Sequence, residues 1–266
     1  MMNLEQLRSD WDALAKRDAL WAILTDDSKT DGGWDVREFF ETGEIEMATV
    51  MGCLGDVGCA PNAAGAALDF GCGVGRLTQA MARRFAACVG VDISEEMIRK
   101  AAALNQYAHC SYVTSVTERL LFEDESFAFV YSNIVLQHMP RKLALGYLRE
   151  FVRVLEPGGV LVFGVQDSFV AKDMASRLNK ARDVLRLRTR LKAAMGRRDG
   201  DMRMHVLSEA EVREAVQPAR IVDVRLTNTA AKNFNGRLVY LHEMPRAGYV
   251  GKQYCVVKAV ATDSPA

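Results

Sequence analysis

The apolar positions of this chain change their period along its length, and the changes divide it. From Asp35 to Leu54, Val36, Phe39, Phe40, Ile45, Met47 and Met51 recur at roughly helical spacing, which predicts helix interrupted at Gly43. Turn residues at Thr30-Asp31-Gly32-Gly33 and at Pro61-Asn62 punctuate this part. Residues 1–60 therefore read as an N-terminal helical cap. From Ala66 to about Val165 short apolar runs alternate with helical patterns. Strands are predicted at Ala66 to Phe70, Cys88 to Ile93, Ser111 to Val113, Ala128 to Ser132 and Val160 to Val165. Between them, Leu77, Met81 and Phe85 share a helical face, and Ser94 is a good N-cap for the helix carrying Met97, Ile98, Ala101 and Ala102. A further helix, Leu143 to Leu155, is stopped by Pro157-Gly158-Gly159.

Strands that alternate with helices imply parallel pairing through right-handed crossovers, so the expected fold is a doubly wound α/β sheet. Residues 61–266 would form that domain, interrupted at about 166–206 by an inserted helical lid. After the insertion come a short helix at 207–217 and two more strand candidates, Ile221 to Leu226 and Gln253 to Val260, for seven strands in all.

Composition narrows the class without naming it. The chain has 266 residues, enough for one α/β domain with its own core. Lys and Arg number 34 and Asp and Glu number 34, which argues against a general nucleic-acid binder. No apolar run is long enough to cross a bilayer, and Met1 to Arg17 is polar and mixed in charge, unlike a secretory signal. The six cysteines (Cys53, Cys59, Cys72, Cys88, Cys110, Cys255) form no CxxC pair and no zinc-like cluster, so no metal is expected and they read as reduced thiols in a cytoplasm. Charge is uneven in one place: residues 171–200 hold ten Lys or Arg against three Asp, with Met174, Leu178, Ala181, Leu185, Leu187, Leu191 and Met195 as an apolar stripe. That stretch reads as a solvated helix over the sheet edge, as a lid meeting an anionic substrate or an acidic partner, as a membrane-surface helix, or as a contact for a second copy of the chain.

The candidate chemistry lies at Asp69-Phe70-Gly71-Cys72-Gly73-Val74-Gly75. Glycines there permit a sharp turn and leave no Cβ in the way of a ligand. A turn after the first strand lies at the carboxyl edge of the sheet, where ligands bind in such folds. The second strand ends in Asp92, 21 residues beyond Gly71, and an acid there can accept two hydrogen bonds from a ribose diol. The turn by itself admits a dinucleotide as well. Its Gly-x-Gly-x-Gly spacing, followed by Arg76, counts against that, as does Asp69, which is placed to take the ammonium of an amino-acid moiety.

The run Leu68-Asp69-Phe70-Gly71-Cys72-Gly73-Val74-Gly75-Arg76-Leu77-Thr78 resembles the first motif of class I S-adenosylmethionine-dependent methyltransferases. Val89-Gly90-Val91-Asp92-Ile93-Ser94 with Met97 is similar to the segment that follows it, Phe122 to Ser132 with Leu136-Gln137-His138 to the fourth-strand motif, and Leu155 to Leu161 to the loop into the fifth strand. The resemblance implies a mostly parallel, Rossmann-like sheet with an antiparallel last strand, and S-adenosylmethionine as cofactor. It places Gly71, Cys72 and Gly73 by the methionine part, Asp92 on the ribose hydroxyls, Ile93 and Met97 against the adenine, and Asn133 near the sulfonium. Where the family often has an acid for the adenine amino group, this chain has Val116, so the hydroxyl of Ser115 or of Thr117, or a backbone carbonyl, could substitute.

Transfer from a sulfonium needs an aligned nucleophile and a dry site, and a base only where the nucleophile carries a proton of high pKa. His138, His205 and His242 are the candidates to touch the acceptor, with Glu243 beside the last, and His109 reads as packed or surface. Trp34, Phe39 and Phe40 are either a closure over the cofactor or ordinary core. The expectation is methyl transfer to a small molecule, most often through oxygen in this family. Two other readings remain: a nicotinamide-dependent oxidoreductase, and a non-catalytic partner-binding protein that keeps the fold, against which the intact Gly71, Gly73 and Asp92 argue.

Overall fold

The computed structural model describes residues 4–171, 204–231 and 234–260. The two N-terminal helices are α1 (Leu4–Ile23) and α2 (Val36–Asp56). The alternating region then runs β1 (Ala66–Phe70), α3 (Arg76–Ala82), β2 (Ala87–Asp92), α4 (Glu95–Leu104), β3 (Cys110–Thr114), β4 (Phe127–Ser132), α5 (Arg141–Val154) and β5 (Leu155–Val170). The last described elements are α6 (Glu209–Ala215), β6 (Arg220–Thr227), β7 (Tyr240–Leu241) and β8 (Gly248–Val257).

One sheet carries all the strands in the order β3-β2-β1-β4-β5-β8-β6-β7. The first five are parallel, and β8 lies antiparallel between β5 and β6. The order reverses at β1, which pairs with β2 on one side and β4 on the other. Helices cover both faces there, so β4 is buried along its whole length and reads as a continuous apolar run. Side chains alternate between two cores. Leu68, Phe70, Val130, Leu161 and Phe163 meet Tyr147, Leu148 and Phe151 of α5 with Val212 and Ala215 of α6. Ala67, Phe129, Tyr131, Val160 and Val162 meet Met47, Val50 and Leu54 of α2 with Leu77, Ala80 and Met81 of α3. Thus α2 forms part of one layer of the sheet's own covering.

Four details differ from the sequence expectation. The sheet has eight strands, because Tyr240–Leu241 adds a two-residue edge to β6 that is too short to leave an alternating pattern. Helix α2 passes through Gly43 without interruption. That glycine is a contact point: a Cβ on it would stand 2.6 Å from the carbonyl oxygen of Arg76. Strand β5 continues past Val165 to Val170, since Phe169 and Val170 pair with Tyr249 and Gly248 of β8. The first residues assigned to the insertion are therefore strand, and the helical lid expected over most of the rest falls on residues 172–203, outside the described ones. Finally, α1 breaks at Asp18, whose backbone is extended (φ −160°, ψ 93°). The Asp18 carboxylate accepts from the Trp21 N–H at 3.1 Å and from the Gly32 N–H at 2.8 Å, which caps the second half of the helix and ties it to the following turn.

Candidate functional site

At the carboxyl edge of β1 the chain turns through Gly71 and Gly73 with φ of +77° and +54°, a region that side chains disfavour. The Gly71 and Cys72 N–H groups both donate to the Val91 carbonyl, at 2.7 and 3.0 Å, which pins the turn to β2. A Cβ on Gly71 would lie 2.3 Å from Val135, and one on Gly73 would lie 2.5 Å from Ile23. The glycines thus make room for the chain's own loop and cap as well as freeing the backbone.

The turn opens into a cavity of about 360 Å³ at the point where the strand order reverses. Gly71, Cys72, Gly73, Asp92, Ile93, Met97, Ser115, Asn133 and His138, all singled out from the sequence, line it together. Asp92 closes β2, and its two carboxylate oxygens accept from the Gly73 N–H and the Ser94 N–H, each at 2.9 Å. Burial pushes its carboxyl above the ordinary range, and those backbone donors oppose the rise. Ser94 also caps α4 by accepting from the Met97 N–H at 3.1 Å, which sets Met97 against the cavity. Asn133 follows β4 directly and donates through Nδ2 to Glu46 at 2.7 Å. Its Oδ1 is buried and has no hydrogen-bond partner among the described residues.

Other candidates stand elsewhere. Asp69 is buried beneath the turn and not on the cavity wall; its carboxylate accepts from the Thr78 hydroxyl at 2.7 Å, and burial raises its pKa to about 7. Val116 is 41% exposed and Thr117 turns its hydroxyl to the Arg119 carbonyl at 2.6 Å, so of the three adenine candidates only Ser115 reaches the cavity. His242 and Glu243 are exposed and do not line the cavity. His205 does not line it either, although its N–H donates to the Gln137 carbonyl at 2.7 Å and its neighbour Met204 is on the wall. His109 packs by Tyr107 and hydrogen-bonds the Ala82 carbonyl through Nε2 at 2.9 Å. Trp34 and Phe39 are core, and the Trp34 indole N–H donates to the Leu24 carbonyl at 3.1 Å.

The structure adds residues that sequence reasoning missed. Trp11 of α1 lines the cavity and meets the His138 ring edge-on, with centroids 5.6 Å apart. The second half of α1 contributes Ala22 and Ile23, and the segment after β6 contributes Thr229, Ala230, Ala231 and Phe234. Arg76 lines the cavity and is paired with Glu46 of α2 at 2.8 Å. No local pattern marked Glu46; it lies 30 residues from its partner and joins it only through the fold.

An open α/β sheet with a glycine turn at its point of reversal and an acid at the end of the next strand defines a nucleotide-type binding site. Residues 68–163 match the family model described as a methyltransferase domain. The matched segment runs from β1 into β5 and so spans the parallel half of the sheet that carries the glycine turn and Asp92. The ubiquinone biosynthesis O-methyltransferase of Parvibaculum lavamentivorans is 34% identical over 96 residues, which cover 35% of this chain and 37% of that protein. The chloroplastic tocopherol O-methyltransferase of Arabidopsis thaliana is 34% identical over 100 residues, covering 36% and 28%. The match thus spans well under half of these relatives. Among solved structures, the magnesium protoporphyrin IX methyltransferase of Synechocystis with bound S-adenosylhomocysteine superposes over 95% of this chain and 98% of that one, with a TM-score of 0.57 and 18% identity. A phosphoethanolamine N-methyltransferase of Haemonchus contortus covers 98% of this chain and 50% of its own, with a TM-score of 0.64 and 12% identity. These likenesses concern the fold.

Proposed function

We propose that the chain binds S-adenosylmethionine in this cavity and transfers its methyl group to an oxygen of a small, largely apolar acceptor. The observation that carries the reading is the convergence of Gly71, Gly73, Asp92, Ile93, Met97 and Asn133 on one cavity at the reversal of the strand order. These residues suit the group. The Asp92 carboxylate is held in place by two backbone donors and keeps lone pairs for a ribose diol. Ile93 and Met97 offer an apolar surface to the adenine, and Ser115 offers a hydroxyl nearby.

When bound, the cofactor supplies a methyl group already activated on a sulfonium. The protein then has to hold the acceptor in line and keep water out. Ile23, Ile134, Ala230, Ala231, Phe234 and Tyr249 make an apolar wall suited to both tasks. His138 is the titratable side chain we assign to the acceptor, where it takes or bonds a hydroxyl proton. Oxygen as acceptor atom is supported by the names of the curated relatives. An anionic acceptor, or one carried by an acidic partner, would suit the excess of cations in the sequence of residues 171–200. The six cysteines are all free, which supports a reducing compartment. Among the described residues no helix is long and apolar enough to cross a membrane.

Thermal melts with S-adenosylmethionine, S-adenosylhomocysteine and NADH test the reading. The two adenosyl compounds should raise Tm, and NADH should not. Asp92→Ala should lower S-adenosylhomocysteine affinity by at least a hundred-fold, since it removes two hydrogen bonds to a charged group, each contributing about 1.5–3 kcal/mol. Stabilisation by NADH alone, or full affinity in the Asp92 variant by calorimetry, refutes it.

A further inference from the structure

Two buried glutamines stand behind the histidine assigned to the acceptor. Gln166 lies on β5 and is 0% exposed, and Gln137 lies in the single 3-10 turn that follows β4 and is 6% exposed. One segment pins both backbones. The His205 N–H donates to the Gln137 carbonyl at 2.7 Å, and the Leu207 N–H donates to the Gln166 carbonyl at 2.8 Å. The side chains then form a row. Gln166 Nε2 donates to Gln137 Oε1 at 2.8 Å, and Gln137 Nε2 stands 3.3 Å from His138 Nε2. The His138 ring also meets Trp11 of α1 edge-on, at 72°, which limits its rotation. Trp11, Gln137 and His138 line the cavity, whereas Gln166 does not.

A carboxamide carries its acceptor on one branch and its donors on the other, so a row of amides has a direction. The Gln137 oxygen is taken by Gln166, which turns the Gln137 nitrogen toward His138. That nitrogen only donates, so the ring nitrogen facing it accepts, and the proton of the neutral imidazole sits on Nδ1. Reversing the row would exchange the ends of the Gln166 amide. Its Oε1 is buried without a hydrogen-bond partner among the described residues, and Nε2 would take that place. A buried donor without an acceptor is the rarer orphan, which favours the direction observed. Neutral imidazole in water prefers its proton on Nε2, so the fold imposes the other form. We infer that Gln166 is a positioning residue that acts through Gln137 to hold His138 as the Nδ1–H tautomer. This rests on the reading that His138 serves the acceptor, and it sharpens that role. Of the two roles open to His138, bonding the hydroxyl and taking its proton, the tautomer serves the first: its Nε2 lone pair is committed to Gln137 and its Nδ1 already carries a proton.

The test is spectroscopic, on the full chain labelled with 15N-histidine, at a pH where the ring is neutral. Long-range 1H–15N correlations distinguish the two tautomers, and the signal lost in His138→Gln assigns the ring. Wild-type His138 should show its proton on Nδ1. Gln166→Leu removes the donor that turns Gln137, so the Gln137 oxygen is released to face the ring. The ratio of Nδ1–H to Nε2–H should then fall about ten-fold, the equivalent of one hydrogen bond. Gln137→Glu offers the ring only acceptor oxygens and should move it the same way. A glutamine that merely fills space would leave the tautomer unchanged in Gln166→Leu. Should that variant not fold, Gln137→Glu still reads the direction of the row. Wild-type His138 with its proton on Nε2, or an unchanged ratio in the folded variants, overturns the inference. Wild-type protein that binds no S-adenosylhomocysteine by calorimetry overturns the proposed function itself, whatever the tautomer.

Discussion

The hydroxyl of Ser94 donates to the carboxylate of Asp12 at 2.6 Å, joining the N-terminal helix to the residue that follows the cavity strand by two positions. The Ser94 N–H meanwhile donates to Asp92, and its oxygen caps α4. One serine thus ties the cap, the acid of the candidate ribose site and the helix that carries Met97. The same Asp12 oxygen also accepts from the Glu96 N–H at 3.3 Å. Asp12→Ala should therefore lower stability by about 1–2 kcal/mol, the range for losing a capping or charge-assisted acceptor. Hydrogen exchange should show faster exchange across the first half of α1, with the sheet unchanged. Equal protection of α1 in variant and wild type would mean that apolar packing alone holds the cap.

Asp69 gives a pH-dependence with a definite sign. Its folded pKa is about 7 against an ordinary 3.8, chiefly through burial, with the Thr78 hydroxyl opposing. Between those values the folded protein keeps a proton that the unfolded chain has released, so stability from this group is full below about pH 4 and falls as pH rises towards 7. Asp69→Asn retains an acceptor for Thr78 and cannot ionise. Its Tm relative to wild type should climb from pH 5 to pH 8. Paired melts that keep a constant gap over that range would rule out the buried-carboxyl account.

Gly71 tests the turn. Alanine there would combine a left-handed backbone with a Cβ 2.3 Å from Val135. Strain and overpacking of this kind cost about 2–4 kcal/mol together. The double variant Gly71→Ala, Val135→Ala removes the two closest contacts, leaves the Val135 Cβ position 3.0 Å away and does not touch the strain, so denaturant melts should recover only part of the loss. Complete recovery would show that packing, not backbone conformation, demands the glycine.

Much of the layout was legible in the chain itself. The alternation of apolar runs and helical faces from Ala66 to Val165 is local, and it predicted five strands with parallel pairing. The glycine spacing and Asp92 are also local, because a turn and a strand end impose residue types on a few consecutive positions. The aromatics of the N-terminal part were not legible in the same way. Trp34 and Phe39 are core, whereas Trp11 reaches the cavity. Which one faces the site depends on the break at Asp18 and on the tie from Asp12 to Ser94, which lies 82 residues away.

The histidines divide likewise. His138, carried by a motif next to β4, lines the cavity, while His205 and His242, placed only by their order along the chain, do not. Sequence by itself determined the α/β alternation, the glycine turn and the acid at the end of β2, because each is a constraint on neighbouring residues. The tertiary structure alone decided that β7 adds an edge, that Gly43 is a contact with Arg76, and that Glu46 stands behind Asn133. Those are pairings across 13 to 87 positions, set by how layers pack and how buried charges find partners.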